Sequence, residues 1–274
     1  MGDEGHMDRK RIPIPSERNL SMHINLSGKI ALVTGATGQL GRVMARSLAA
    51  CGADVAIHYN SNETKATELQ REIESAGRRA IIVKADVTKL DEVMRMKEEV
   101  TAKLGEADIV VANAVIQYKW TSVLEQAPED YVSQFESCVL QSVHLAKAFL
   151  PAMIEKKAGR LIGINTECAM QNFPGQSAYV AGKRGMDGVY RILAREVGEH
   201  QITVNQVAPG WTISDNDRQN HTERNEEYEK NVALKRRGTD QEIANAVVFL
   251  ASDLASFITG AYIPVCGGYV MPAI

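Results

Sequence analysis

Ile30-Ala31-Leu32-Val33-Thr34-Gly35-Ala36-Thr37-Gly38-Gln39-Leu40-Gly41-Arg42-Val43-Met44-Ala45 is the stretch whose reading decides the fold. The aliphatic, β-branched run Ile30 to Thr34 predicts a strand, and apolar residues at helical spacing begin at Leu40. Between them lie three glycines. Glycines permit a tight turn and a close backbone approach, while the free amides and positive dipole end of the following helix attract pyrophosphate. A glycine triplet alone means only a tight turn. Between a strand and a helix it reads as a dinucleotide site, with Gly35, Thr37, Gln39, Leu40 and Gly41 as candidate contacts.

Outward from this unit the same alternation continues. Further strands are predicted at Asp54 to Tyr59, Ala80 to Lys84, Asp108 to Ala112, Gly159 to Asn165, Thr203 to Ala208 and Tyr262 to Cys266. Helices are predicted at Leu40 to Cys51, Glu63 to Ala76, Leu90 to Leu104, Pro128 to Lys156, Ser177 to Val197 and Asp240 to Leu250. Regular strand–helix alternation implies right-handed crossovers, hence an α/β fold: a Rossmann-type, doubly wound, parallel seven-stranded sheet with helices on both faces. Residues 27–274 read as one such domain, and the polar residues 1–26, with Pro13 and Pro15, as an N-terminal arm.

With 45% hydrophobic and 24% charged residues, the chain of 274 has the composition of a globular domain rather than a disordered one. A net charge of −3 weighs against nucleic acid and anionic lipid as partners. The clusters Arg9-Lys10-Arg11 and Lys235-Arg236-Arg237 therefore read as solvated loop charges. No apolar run of bilayer length and no signal peptide is expected, so the protein is expected in the cytoplasm, away from membranes. Cys51, Cys138, Cys168 and Cys266 have no metal-type spacing, and no metal is expected.

A second constellation carries chemistry. Tyr179 and Lys183 stand four apart on a helix pattern that follows the fifth strand, so they share a face. Such a pair can be an ordinary amphipathic face. It can also be a proton-transfer pair, because a neighbouring ammonium favours the phenolate and lowers the tyrosine pKa toward a working range.

The glycine turn, Tyr179-x-x-x-Lys183, Gly159-Arg160-Leu161-Ile162, Val204-Asn205-Gln206-Val207-Ala208-Pro209-Gly210 and the run Gln241 to Asp253 together resemble the short-chain dehydrogenase/reductase family. The resemblance covers roughly Ser27 to Met271 and is closest to 3-oxoacyl-carrier-protein reductases and their relatives. It implies an NAD(P)(H)-dependent carbonyl reductase or alcohol dehydrogenase acting on a small molecule. Asn113 and Ala114 match the family segment after the fourth strand, with Val115 in place of a glycine and narrowing the pocket. Asp86 and Val87 match the adenine-contacting segment, although Asp86 can equally be a helix N-terminal residue with Thr88 as the cap. Pro209 and Gly210 would pass over the nicotinamide, Ser214 aligns with a carboxamide-binding threonine, and Thr212 is nearby.

In the same resemblance Lys183 would also bond the nicotinamide ribose. Thr166 takes the place of a serine that orients the substrate carbonyl, and Cys138 takes the place of an asparagine that holds a water path to the lysine. The second strand ends in His58-Tyr59-Asn60-Ser61-Asn62, without the carboxylate that NAD enzymes of this fold place there. Thr37, Asn60 and Ser61 can donate to a 2′-phosphate, so NADP(H) is favoured over NAD(H). Ser214 to Lys235 corresponds to a substrate lid, whose Arg218, His221, Arg224 and Glu226 either contact substrate or stay solvated. The two longest helices would pair across subunits in a homotetramer. The rival reading is a catalytically weakened dinucleotide-binding sensor or structural subunit, motivated by Gln39, Val115, Cys138 and Thr166.

Overall fold

A computed structural model describes residues 23–171 and 173–271. The strands are β1 (Ile30–Val33), β2 (Asp54–Tyr59), β3 (Ala80–Lys84), β4 (Ile109–Ala112), β5 (Gly159–Ile164), β6 (Ile202–Pro209) and β7 (Tyr262–Val265). They form one parallel sheet in the order β3-β2-β1-β4-β5-β6-β7. The helices are α1 (Gln39–Ala50), α2 (Glu63–Ser75), α3 (Leu90–Lys103), α4 (Pro128–Gln134), α5 (Gln141–Lys156), α6 (Ser177–Val197), α7 (Asp215–Asn220), α8 (Glu226–Glu229) and α9 (Asp240–Ala251). The expected strands and helices are all present, displaced by a residue or two at several ends.

The sheet has two buried faces because alternate residues of each strand point opposite ways. Ala31, Val33, Val55, Ile57, Ile109 and Val111 pack with α1, α2 and α9. Leu32, Ala56, Val110, Ala112 and Leu161 pack with α3, α5 and α6. Strand order reverses between β1 and β4, which opens a crevice at their carboxyl ends. The glycine turn sits there.

Three expectations are corrected. Pro128 to Lys156 is not one regular helix: a π-helical segment, Phe135–Leu140, joins α4 to α5. Its cause is side-chain insertion, since the Gln141 amide donates to the Ser137 and Ala114 carbonyls and Ser142 donates to Cys138 O. This stretch is also long and apolar enough to cross a bilayer by length and composition alone, yet most of it is buried in the fold, as a core helix is. Finally, Leu26, assigned to the arm, is buried, with Ile24 against the same core. Residues 1–22 of the expected arm, including Arg9-Lys10-Arg11, lie outside the described residues.

Candidate active site

Gly35, Thr37, Gln39, Leu40, Gly41, Asn60, Ser61, Asp86, Val87, Asn113 and Ala114 all line one cavity of about 650 Å³ at the β1/β4 crevice. The turn is built for close approach. Gly35 has φ +60°, and a Cβ on Gly41 would lie 2.3 Å from Gly35 O. Gly38 caps α1 without any side-chain acceptor, so the first amides of the helix face the cavity unsatisfied by side chains. A glycine cradle ending in free amides fits a dinucleotide pyrophosphate.

Several cavity residues brace the turn as well as line it. The Asn113 amide donates to Thr34 O at 2.9 Å and Gly35 O at 3.2 Å, while Thr34 Oγ1 accepts from the Asn113 and Ala114 amides. Gln39 donates to Ile213 O at 2.6 Å, and Arg42 is paired with Asp215. No guanidinium is therefore free beside Asn60 from that helix. Thr88 does not cap α3, whose N-cap is Lys89, and Asp86 lies outside that helix: its Oδ1 accepts from the Thr88 amide and hydroxyl in a local turn.

His58 was missed as a site residue, because its role needs three strands at once. Its Nδ1 accepts the Gly35 amide at 2.9 Å and its Nε2 faces Ala85 O at 2.9 Å, which fixes the Nε2-protonated tautomer. Burial pushes its pKa down from 6.5 to about 4. The unfolded chain therefore takes up this proton first. The resulting stability, about 3 kcal/mol, is complete above pH 6.5 and is lost as pH falls toward 4. His58→Gln can reproduce one acceptor and one donor without titrating. The melting-temperature gap between wild type and variant is expected to move toward the variant as pH drops from 7 to 4.5. Parallel curves would show that His58 has no such linkage.

Leu40, Asn113 and Val115 continue from the cofactor cavity into a recess of about 220 Å³, where Thr166, Tyr179, Lys183, Pro209, Gly210 and Thr212 converge. Residues Ala178, Gly182, Met186, Tyr190 and Ala194 form the buried stripe of α6, which carries Lys183 into the core beside it. Gly182 allows the close contact, since a Cβ there would meet Gln134 O at 2.8 Å. The first turn of α6 has no side-chain cap; instead Tyr118 Oη accepts the Tyr179 amide at 2.7 Å.

Lys183 is buried and its Nζ donates to Ile164 O at 2.6 Å, 5.7 Å from the Tyr179 ring centroid. Desolvation lowers the lysine pKa. The balance at Tyr179 runs opposite to the sequence expectation. Burial pushes the phenol up, and the opposing influence is the Thr166 hydroxyl rather than the lysine. Cys138 is buried in the π-helical segment, near enough to influence both Tyr179 and Lys183. Ser214 does not join the recess: it caps α7 in a reciprocal pair with Asp217, leaving Thr212 on the lining.

Thr166, Tyr179 and Gly210 lead on into a cleft of about 620 Å³. The lid contributes Asn225, Glu227, Tyr228 and Asn231 to its walls rather than Arg218, His221, Arg224 or Glu226. Arg218 is held by Asp240 and Arg224 by Glu229. Arg237, expected in solvent, is buried, paired with Asp217 at 2.8 Å and stacked on Trp211 at 4.6 Å. Sequence reading also missed Glu167, the neighbour of Thr166. Its carboxyl is buried, accepts from Tyr228 Oη at 2.9 Å, and is pushed up to about 7 by desolvation.

A family model described as enoyl-(acyl carrier protein) reductase matches residues 35–270. The 3-oxoacyl-[acyl-carrier-protein] reductase FabG of Staphylococcus epidermidis is 35% identical over 89% of this chain and 99% of its own length. That of Escherichia coli is 37% identical over 90% of this chain and 100% of its own. Among solved structures, a blue fluorescent protein from a metagenomic library in complex with NADPH superposes with a TM-score of 0.82 at 33% identity, covering 90% of this chain and 100% of that one. A gluconate 5-dehydrogenase from Burkholderia cenocepacia in complex with NADP and tartrate gives 0.83 at 27% identity, covering 90% and 97%. The chain belongs to the short-chain dehydrogenase/reductase family and is an NAD(P)-dependent oxidoreductase acting on a carbonyl or hydroxyl group.

Proposed function

We propose that the protein is an NADPH-favouring carbonyl reductase or alcohol dehydrogenase, with Tyr179 as the proton donor and acceptor. The observation that carries this reading is the meeting of Thr166, Tyr179 and Lys183 in a recess that joins the cofactor cavity to the aromatic cleft. A nicotinamide seated there supplies or takes up hydride at the substrate carbon. Thr166 holds the reacting oxygen by its hydroxyl, and Tyr179 exchanges the proton at that oxygen. Lys183 offers its ammonium to the ribose hydroxyls. Cys138, a weak donor and acceptor, gives the proton path a poor relay where an amide would order water.

The NADPH preference is supported by Thr37, Asn60 and Ser61 on the cavity wall, with no carboxylate at the end of β2. Binding of NADPH and NADH is followed by cofactor fluorescence, and NADPH oxidation is then followed over ketones, 3-oxoacyl thioesters and sugars. Tighter NADPH binding and turnover of at least one carbonyl class are expected. Asn60→Asp should shift the preference toward NADH, because a carboxylate repels the 2′-phosphate. Equal cofactor affinities would end the preference, and cofactor binding without any turnover would favour the sensor reading.

A cytoplasmic homotetramer is part of the same proposal. Val132, Phe135 and Ile192 are more than half exposed on or beside α4 and α6, the helices that would meet a partner copy. Light scattering is expected to give about four times the 30.0 kDa chain mass. A monomer would refute it.

A further inference from the structure

The cleft beyond Tyr179 has walls that hydride transfer leaves unexplained. Trp120 stacks on Tyr179 with centroids 5.8 Å apart. Trp211, Tyr228, Tyr269 and Phe173 form one run of rings at successive separations of 5.5, 4.7 and 6.2 Å. All of these rings line the same cleft. Among the described residues, the formally charged side chains that line it are two carboxylates, Glu167 and Glu227; Arg237, stacked on Trp211, and Lys183, 5.7 Å from the Tyr179 ring, stay off its lining. Glu167 is 3% exposed; its Oε1 accepts from Tyr228, while its Oε2 is buried without a hydrogen-bond partner of good geometry, the Trp211 amide and the Gln171 side chain lying near enough only to favour its ionised form. The neighbouring Gln171 side-chain nitrogen is also unpartnered.

These features converge on the charge of a ligand. A buried carboxylate oxygen without a full set of partners carries a desolvation cost that a ligand donor can offset. Ring faces attract a cation held within about 6 Å of their centroids, most strongly when it is desolvated. An anionic substrate would meet the Glu227 carboxylate and, whenever it is ionised, Glu167 as well. A neutral apolar one would use the rings and leave the carboxylate oxygen unpaired. A cation satisfies both, and its presence would favour the ionised form of an acid that burial otherwise holds near neutrality.

We propose that the cleft selects a carbonyl or alcohol substrate bearing an organic ammonium group, the cation resting among the aromatic rings and paired with Glu167. The inference rests on the oxidoreductase reading for the reacting carbonyl, but the cation subsite can be measured without turnover.

The full chain, with and without NADP⁺, is titrated with choline and with its uncharged carbon isostere, 3,3-dimethylbutan-1-ol. Fluorescence is a local readout, because Trp120 and Trp211 are the chain's two tryptophans and both line the cleft. Choline is expected to bind roughly tenfold tighter or more. Glu167→Gln, which keeps the shape, should bring the ratio close to one, and Glu227→Gln should change it less. Trp120→Leu, at a half-exposed position, should weaken choline several-fold more than the alcohol. Equal binding of the two probes by wild type, or a preference that survives in folded Glu167→Gln, overturns the proposal. If Glu167→Gln does not fold, the Trp120→Leu pair decides, and equal losses for both probes overturn it. Choline selectivity with no reduction of any carbonyl would sink the oxidoreductase reading alone; reduction of neutral ketones with no choline selectivity would sink the ammonium subsite alone.

Discussion

Replacing Tyr179 by phenylalanine is expected to lower turnover by a factor of about 10²–10⁴ while leaving NADPH affinity nearly unchanged. The phenol shares the recess with the Thr166 hydroxyl and the Lys183 ammonium. Burial raises its pKa, so in the free protein it is held as the neutral donor that carbonyl reduction requires. Phenylalanine keeps the ring that stacks on Trp120 and removes only the hydroxyl. Lys183→Ala should behave differently. Its ammonium is buried against Ile164 O in the same recess, so its loss would remove the proposed ribose partner and is expected to weaken both cofactor binding and turnover. In the same assays Cys138→Asn should be neutral or faster, since an amide can order a water that a buried thiol cannot. Fluorescence titration of NADPH and steady-state oxidation, measured on each variant, separate these patterns. Near-normal turnover by Tyr179→Phe would place the proton transfer elsewhere.

Gly41→Ala is expected to cost the protein NADPH binding more than a hundredfold, together with roughly 1–3 kcal/mol of stability. The added methyl would lie 2.3 Å from Gly35 O, 2.8 Å from Ala36 Cα and 2.9 Å from the Asn113 amide nitrogen. Two of these atoms are backbone, so no side-chain rotation relieves the contact. The turn must open, and opening it moves Gly35 away from His58 and from the Asn113 amide that braces it. The aligned amides that would receive a pyrophosphate then lose their geometry. By contrast Gly38→Ala, whose nearest contact is Gly35 O at 3.3 Å, should cost far less. Calorimetric titration with NADPH and thermal unfolding of the two variants check the difference. Equal, mild effects would mean that the turn adapts and that the cavity is not a tight pyrophosphate cradle.

The amino-acid sequence by itself determined what depends on neighbours along the chain. Strand positions follow from β-branched runs such as Asp54 to Tyr59, helices from their apolar stripes, and the glycine turn from residues within one short segment. Tyr179 and Lys183 could be paired on paper because a helix fixes the relation of residues four apart. Contacts between distant segments have no such rule. That Arg42 is spent on Asp215, that Arg237 is buried under Trp211, and that Tyr118 caps the turn carrying Tyr179 all require elements far apart in sequence to meet. Ser214 looked like a cofactor contact because its position matched; only the fold shows its hydroxyl committed to α7. The π-helical segment arises because Gln141 is drawn toward Thr34 and Ala114, residues that its own helix cannot foretell. Glu167 reads as an ordinary surface acid until β5, the lid and the C-terminal segment close around it. Burial sets its charge state and its hydrogen-bond needs, and burial is a property of the packed molecule rather than of any stretch of chain.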